Sequence, residues 1–321
     1  MKSSRRTWIV LPVAAGLVLG LSGGAFAAFS GTTTNGPNRF IAAPDWEPPH
    51  VTRTVIAKTV GYTAGAIQQG GQFFVYAQID DGGNPPAGVG TVTADVSAFS
   101  TGGGAVAMVA GSYTAQGVLY NYRSAARTAT TPMANGTRTY AFTMSDLAAP
   151  ANAQTQTGFT VIIDNTGPAP VDMTSANKAG GVVGRAEQGD SVTYTWNQPI
   201  DPESLIPGWD GGSPTTVTVR IQNKGPNDQL KIEDAVGTIL NFGTVSLQQN
   251  YAQGTRTFTG SSVTMLGNTV TIVLGTASGG VNTVTIPTPT TWQASTGAYD
   301  AAGNACSNAT ITGSGSPRID F

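Results

Sequence analysis

One cysteine, Cys306, and one histidine, His50, occur in the 321 residues, and charged side chains make up only 11% of them. Each scarcity removes a class of chemistry. A lone thiol cannot close an internal disulfide, so stability must come from packing, and Cys306 is expected to be buried and inert. One histidine and one cysteine cannot furnish the usual zinc ligand sets. His50 stands in a proline-rich linker, Glu47-Pro-Pro-His50, with no nucleophile elbow nearby, so a histidine-assisted hydrolase has no visible centre. Basic residues are also few. Lys2, Arg5 and Arg6 lie in the first 27 residues, which leaves 13 of the 16 basic side chains against 18 acidic ones, a formal charge near −5. A phosphate backbone is gripped by clustered Lys and Arg, so nucleic acid is not an expected partner.

Long apolar runs are missing except at the start. After the basic residues, Trp8 to about Leu21 is apolar, and Ala25-Phe26-Ala27 supplies a small-residue cleavage site. That order reads as a secretory signal peptide, residues 1–27. An uncleaved anchor over Trp8–Ala28 is just long enough to span a bilayer, but Gly16, Gly20, Gly23 and Gly24 dilute it. Arg5-Arg6 keeps twin-arginine export as an alternative route. Cleavage predicts a protein that is secreted or held at the cell surface, with no membrane contact once the leader is gone.

What is abundant is β structure. Segments of β-branched, aromatic and hydroxyl residues alternate with period two, and Gly, Pro or Asn punctuate between them. Gln72–Ile79, Thr91–Val96, Val118–Tyr122, Thr139–Met144 and Gly158–Ile163 read as strands, as do Ser191–Trp196, Thr216–Ile221, Gly243–Leu247, Thr269–Leu274, Asn282–Ile286 and Ala309–Thr312. Short strands between turn clusters predict β-sandwiches. A short helical turn is expected near Asp201–Leu205, with Asp201 as its cap and Pro202 at its first position. The run Asp164-Asn-Thr-Gly-Pro-Ala-Pro170 reads as a linker. The expected organisation is an all-β chain: an extended N-terminal segment over 28–48, one sandwich over 49–166 and a second over 167–321. A faint repeat fits this. Lys58 and Lys178 each stand seven residues past a valine, Val51 and Val171, and Gly71 and Gly189 each precede an apolar strand. Trp196 is a candidate core residue, and Trp46 is expected to plug the start of the first sandwich.

Two resemblances refine this picture. Ala28-Phe29-Ser30-Gly-Thr-Thr-Thr-Asn-Gly-Pro-Asn-Arg-Phe40 resembles the mature start that follows a SipW-dependent signal peptide, although Gly31 stands where an acidic residue is usual. That likeness implies a cell-surface setting, and the fibre-forming fold of such proteins is not carried over. The body is similar to bacterial Ig-like repeats of the surface-layer type. Phe159-Thr-Val-Ile-Ile-Asp-Asn-Thr-Gly-Pro168 matches their closing strand and joint, and Asp300-Ala-Ala-Gly-Asn304 their "D-x-A-G-N" turn. Gly189-Asp190 through Trp196-Asn197-Gln-Pro-Ile-Asp-Pro202 follows their "G-D…F-[ST]-x-P-x-D-P" pattern, with Trp-Asn replacing Phe-Ser. The resemblance implies two tandem Ig-like β-sandwiches that act as spacers or adhesive units.

Candidate sites are sparse. Asp80, Asp81 and Asn84 crowd oxygen donors onto one glycine-containing loop, an arrangement calcium accepts, although no closing glutamate follows. The competing reading is a solvated turn whose side chains bond their own backbone. Asp201, Glu203 and Asp210 flank Trp209, as in some sugar sites, and Tyr113, Tyr120 and Tyr122 offer aromatic faces. No set of residues makes a catalytic centre. The expectation is a non-enzymatic, exported bacterial protein, an adhesive or structural spacer that self-associates through edge strands or binds an extracellular polysaccharide or protein surface. The alternatives are a carbohydrate-binding module and, behind it, a secreted glycoside hydrolase or its accessory.

Overall fold

Hydroxyl and β-branched residues in alternation place one side of each segment in a core and the other in water, and the chain folds accordingly into paired sheets. The structure, a computed structural model, describes residues 34–35, 38–39, 45–83, 85–314 and 321. The leader lies outside the described residues, as does most of 28–48. Within the latter, strands β1 (Thr34–Asn35) and β2 (Asn38–Arg39) pair antiparallel as a small hairpin. Asp45–Phe321 forms one compact unit.

The first half of that unit carries β3 (His50–Lys58), β4 (Ala66–Ile67), β5 (Gln72–Asp80), β6 (Val89–Asp95), β7 (Val106–Ala115), β8 (Val118–Ser124), β9 (Arg127–Thr128), β10 (Gly136–Asp146) and β11 (Ala153–Ile163). Their order across the sheet is β3-β5-β8-β7-β6-β10-β11-β4, with β9 beside β5. The β6–β7 link is only Thr93↔Ala107 and Ala94↔Val106. The sheet folds over at this link, so that β3-β5-β8-β7 and β6-β10-β11 share one core around Phe73, Phe99, Tyr140 and Phe142. Gln156 and Gln154 of β11 stitch the remaining gap, bonding Val51 N and the Pro49 carbonyl at 2.6 and 2.5 Å.

The second half carries β12 (Pro170–Ala176), β13 (Ser191–Trp196), helix α1 (Pro202–Leu205), β14 (Thr215–Gln222), β15 (Gln229–Glu233), β16 (Thr244–Ser246), β17 (Arg256–Leu266), β18 (Thr269–Val273), β19 (Thr276–Ala277), β20 (Thr291–Gln293) and β21 (Thr310–Thr312). The order is β12-β13-β18-β17-β14-β15-β16-β20-β21, with β19 beside β17. Its core is separate and holds Trp196, Trp292, Tyr194 and Phe242. The two indoles meet edge to face at 5.2 Å, and Trp292 Nε1 donates to the Phe242 carbonyl at 2.7 Å, which satisfies a polar group deep in the core.

Three expectations are corrected. His50 is not in a linker: it opens β3, opposite Asp80. Trp46 does not plug the sandwich. Asp45 turns inward, and its neighbour Trp46 faces out, 69% exposed. Asn282–Ile286 forms no strand, because its bonds go to loops, Asn282 N to Tyr251 O and Val284 N to Gly184 O, and Ile286 is left exposed. The helical turn does form, with Asp201 accepting from Glu203 N at 3.0 Å.

Candidate functional site

Register defines two ends in each sandwich. His50 faces Asp80 at the start of β3, and Lys58 faces Phe73 at its finish. In the second sandwich Pro170 faces Trp196, and Ala176 faces Ser191. We call the end where β3 or β12 begins the head, and the end where it finishes the tail. The tail of the first sandwich meets the head of the second.

At that joint, Lys58 leaves the last position of β3 and enters the second sandwich. Its Nζ pairs with Asp201, and both side chains are almost wholly buried. The ammonium also donates to Thr63 O at 3.0 Å and Ala301 O at 2.9 Å, and it lies 5.6 Å from the Tyr299 ring centre. The backbone N–H groups of Tyr62 and Thr63 donate to Asp201 at 3.1 and 3.0 Å. Every lone pair and proton at the centre of the pair is used, which is the condition for a buried ion pair to persist. Gly61 is required here: it has φ +90°, and a Cβ would lie 2.7 Å from Asp201 Oδ2 and 2.8 Å from Lys58 Cε. Burial, then the negative charges of Asp201 and Glu203, push the Tyr299 phenol above its ordinary value.

A polar layer surrounds this centre. Gln68 bonds the carbonyls of Ala302 and Gly303. Asp300 caps its own turn, accepting from the N–H groups of Ala302, Gly303 and Asn304 at 2.8–2.9 Å. Asn304 Nδ2 then reaches the Asp164 carbonyl at 2.9 Å, and Gln198 Nε2 the Thr166 carbonyl at 2.8 Å. Gly167 packs so closely that a Cβ would collide with the Ala305 carbonyl oxygen. The segment that reads as a linker is clamped from both sides.

The head of the first sandwich holds a second cluster. Carboxylate oxygens of Asp45, Asp81 and Asp146 lie within 4.8 Å of one another, and Asp45 and Asp146 are buried. Asp45 precedes β3, Asp81 follows β5, and Asp146 ends β10. Asp45 accepts from Glu47 N at 3.0 Å and Ala87 N at 2.9 Å. Asp81 Oδ2 accepts from Gly88 N at 2.5 Å, while its buried Oδ1 has no partner. Burial pushes the Asp146 carboxyl up, but bonds from Asn152 and Ala148 outweigh it and hold the group below its ordinary value. Negative charges on carboxylates at this spacing repel one another, and hard oxygen donors so placed suit a cation, whether calcium or an ammonium group. Among the described residues no lysine or arginine forms an ion pair with any of them.

Of the described residues expected to form a calcium loop, Asp81 belongs to this cluster and Asp80 does not. Asp80 is exposed at the end of β5 and accepts from Gln78 Nε2 at 3.2 Å, and Asn84 lies outside the described residues. Asp45 and Asp146 come from distant segments with no motif in common. Asp146 offers only the signal of a carboxylate at the end of a strand, and Asp45, five residues ahead of β3, offers none.

The other candidates are engaged in structure. Trp209 is buried, with Nε1 bonded to Ser213 O at 2.7 Å, and Asp210 caps the adjoining turn. Tyr120 is buried against Tyr76, while Tyr113 and Phe74 sandwich the Arg123 guanidinium at 4.5 and 4.3 Å. Cys306 is buried, and burial pushes its thiol up. No helix among the described residues is long and apolar enough to cross a membrane. Comparison with protein-family models, with curated proteins and with solved structures finds no match to this chain.

Proposed function

We propose that this chain is an exported, non-catalytic bacterial spacer, built from two Ig-like sandwiches locked at a fixed angle, that holds a contact surface away from its point of attachment. The observation that carries the reading is the joint. A flexible tether needs no buried ion pair, whereas a spacer needs a joint that resists bending, and Lys58–Asp201 with its surrounding hydrogen bonds supplies one. The Ig-like reading draws support from strand order: β3-β5-β8-β7 against β6-β10-β11 is the ABED/CFG arrangement. Export rests on the leader and its Ala25-Phe26-Ala27 site. A spacer role also accords with the sparing use of free titratable groups, since Asp201 and Asp300, the carboxylates of the recognised turns, are both spent on structure.

The test is small-angle X-ray scattering on the secreted chain, with its first residue sequenced. A start at Ala28, one rigid conformer for the wild type and a broadened ensemble for Lys58→Ala support the proposal. A wild type as flexible as the variant, or a chain that starts at Met1 and stays inside the cell, overturns it.

A further inference from the structure

The joint uses three parts, and each recurs at an outer end of the molecule. The first part is the loop after the opening strand. In the first sandwich it presents Lys58, then Gly61, Tyr62 and Thr63, all of which touch or make room for Asp201. In the second sandwich β12 is followed by Lys178, then Gly181, Val182 and Val183, at the same three spacings. This loop stands at the tail of the second sandwich, where Gly184 N donates to Phe321 O at 2.7 Å. Lys178 is exposed, its Nζ bonded to Gln188 O within the loop, and Val182 and Val183 beside it are 44% and 63% exposed.

The second and third parts are the turn after the strand that pairs with the opening one and the turn between the last two strands. In the second sandwich these carry Asp201, which follows β13, and Asp300, which lies between β20 and β21. In the first sandwich they carry Asp81, which follows β5, and Asp146, at the turn from β10 to β11. Here, among the described residues, no lysine or arginine forms an ion pair with them. Asp81 Oδ1 is buried and has no hydrogen-bond partner among the described residues. Trp46 and Leu147 flank the cluster, each 69% exposed.

We infer that copies of this chain join head to tail, Lys178 of one copy entering the Asp45–Asp81–Asp146 cluster of the next, as Lys58 enters the Asp201 site within the chain. The inference rests on the spacer reading and extends it. Charge complements charge across the two ends, and exposed apolar side chains ring each charge, so that contact would exclude the water that otherwise weakens such a pair. The head and tail are different surfaces, so the interface is heterologous, and without closure it propagates into a filament. The edges of the sheets are less suited to assembly. β21 is three residues long, and the seam between β11 and β3 is already stitched by Gln154 and Gln156.

Sedimentation velocity on the mature chain tests this. Wild-type protein at low ionic strength is expected to form concentration-dependent species larger than monomer, and added salt dissociates them. Lys178→Glu alone and Asp81→Lys alone should each remain monomeric. Mixing the two single variants supplies both the native pairing and the charge-reversed one, so species larger than monomer should return. The double variant Lys178→Glu/Asp81→Lys reverses the pair and should restore larger species. A wild type that stays monomeric throughout, or association indifferent to Lys178→Glu, overturns the inference. So does calorimetric calcium binding to a non-associating monomer that is lost in Asp81→Asn, which would assign the cluster to a metal ion. Failure here with a rigid scattering profile leaves the spacer reading standing, so the two are separable.

Discussion

Lys58 is the residue on which most of the joint depends. Removing its ammonium leaves Asp201 charged, buried and short of its strongest partner. Loss of one member of a buried pair costs about 3–5 kcal/mol. Lys58→Ala should therefore lower the stability measured by urea denaturation by that order, while a loss below about 1 kcal/mol would mean that water replaces the ammonium at little cost. Tyr140 makes a different prediction. Burial raises its phenol from 10.0 to about 12, against the opposing bond from Thr54. The folded state holds this group neutral, so its contribution is complete below pH 10 and drains away as pH climbs from 10 toward 12. Unfolding followed over that window should show a steep loss of stability that is shallower in Tyr140→Phe. An unchanged slope would move the effect to Tyr194, which burial also raises.

Among the elements, the turn at Asp300-Ala-Ala-Gly-Asn304 is where a short pattern and its physics coincide. One carboxylate oxygen takes three consecutive N–H groups, and the closing asparagine reaches across to Asp164. Asp300→Ala should cost roughly 1–3 kcal/mol or more, since buried donors lose their acceptor, and amide exchange at residues 302–304 should rise above that of the sheet. Protection equal to wild type would show the turn to be held by packing alone. Legibility in the sequence followed this line between local and distant causes. β13 alternates cleanly and is found where its pattern puts it, and the cap at Asp201 is local chemistry. β7 and β17 are harder to see, because Gly111-Ser112 and Gly260-Ser261-Ser262 interrupt their alternation, and only neighbouring strands make them strands. Asn282–Ile286 has the pattern but no open partner. The acidic cluster was half hidden for the same reason: Asp81 sits in a suggestive loop, but Asp45, ahead of β3, and Asp146, at the end of β10 on the facing side of the sandwich, join it only through the fold.

For the molecule as a whole, the two main cores, beside a smaller cluster around Tyr76 and Tyr120 on the first sandwich, are tied by one polar joint. Polar joints of this kind couple unfolding only while their pairs are intact. Differential scanning calorimetry on the wild type should give a single cooperative transition, and Lys58→Ala should resolve it into two. Two transitions already present in the wild type would mean that the sandwiches unfold independently despite the contact between them.

The clamped segment between the sandwiches has one more effect. A protease acts only on chain it can draw out in extended form, and an exposed glycine–proline stretch is ordinarily where it begins. Here the Asp164 and Thr166 carbonyls are held by Asn304 and Gln198, the Pro168 carbonyl is held by Ser307 N, and Gly167 lies against Ala305. Limited digestion should spare residues 164–169 for as long as both sandwiches remain folded. What reads as the weakest link is thereby made durable.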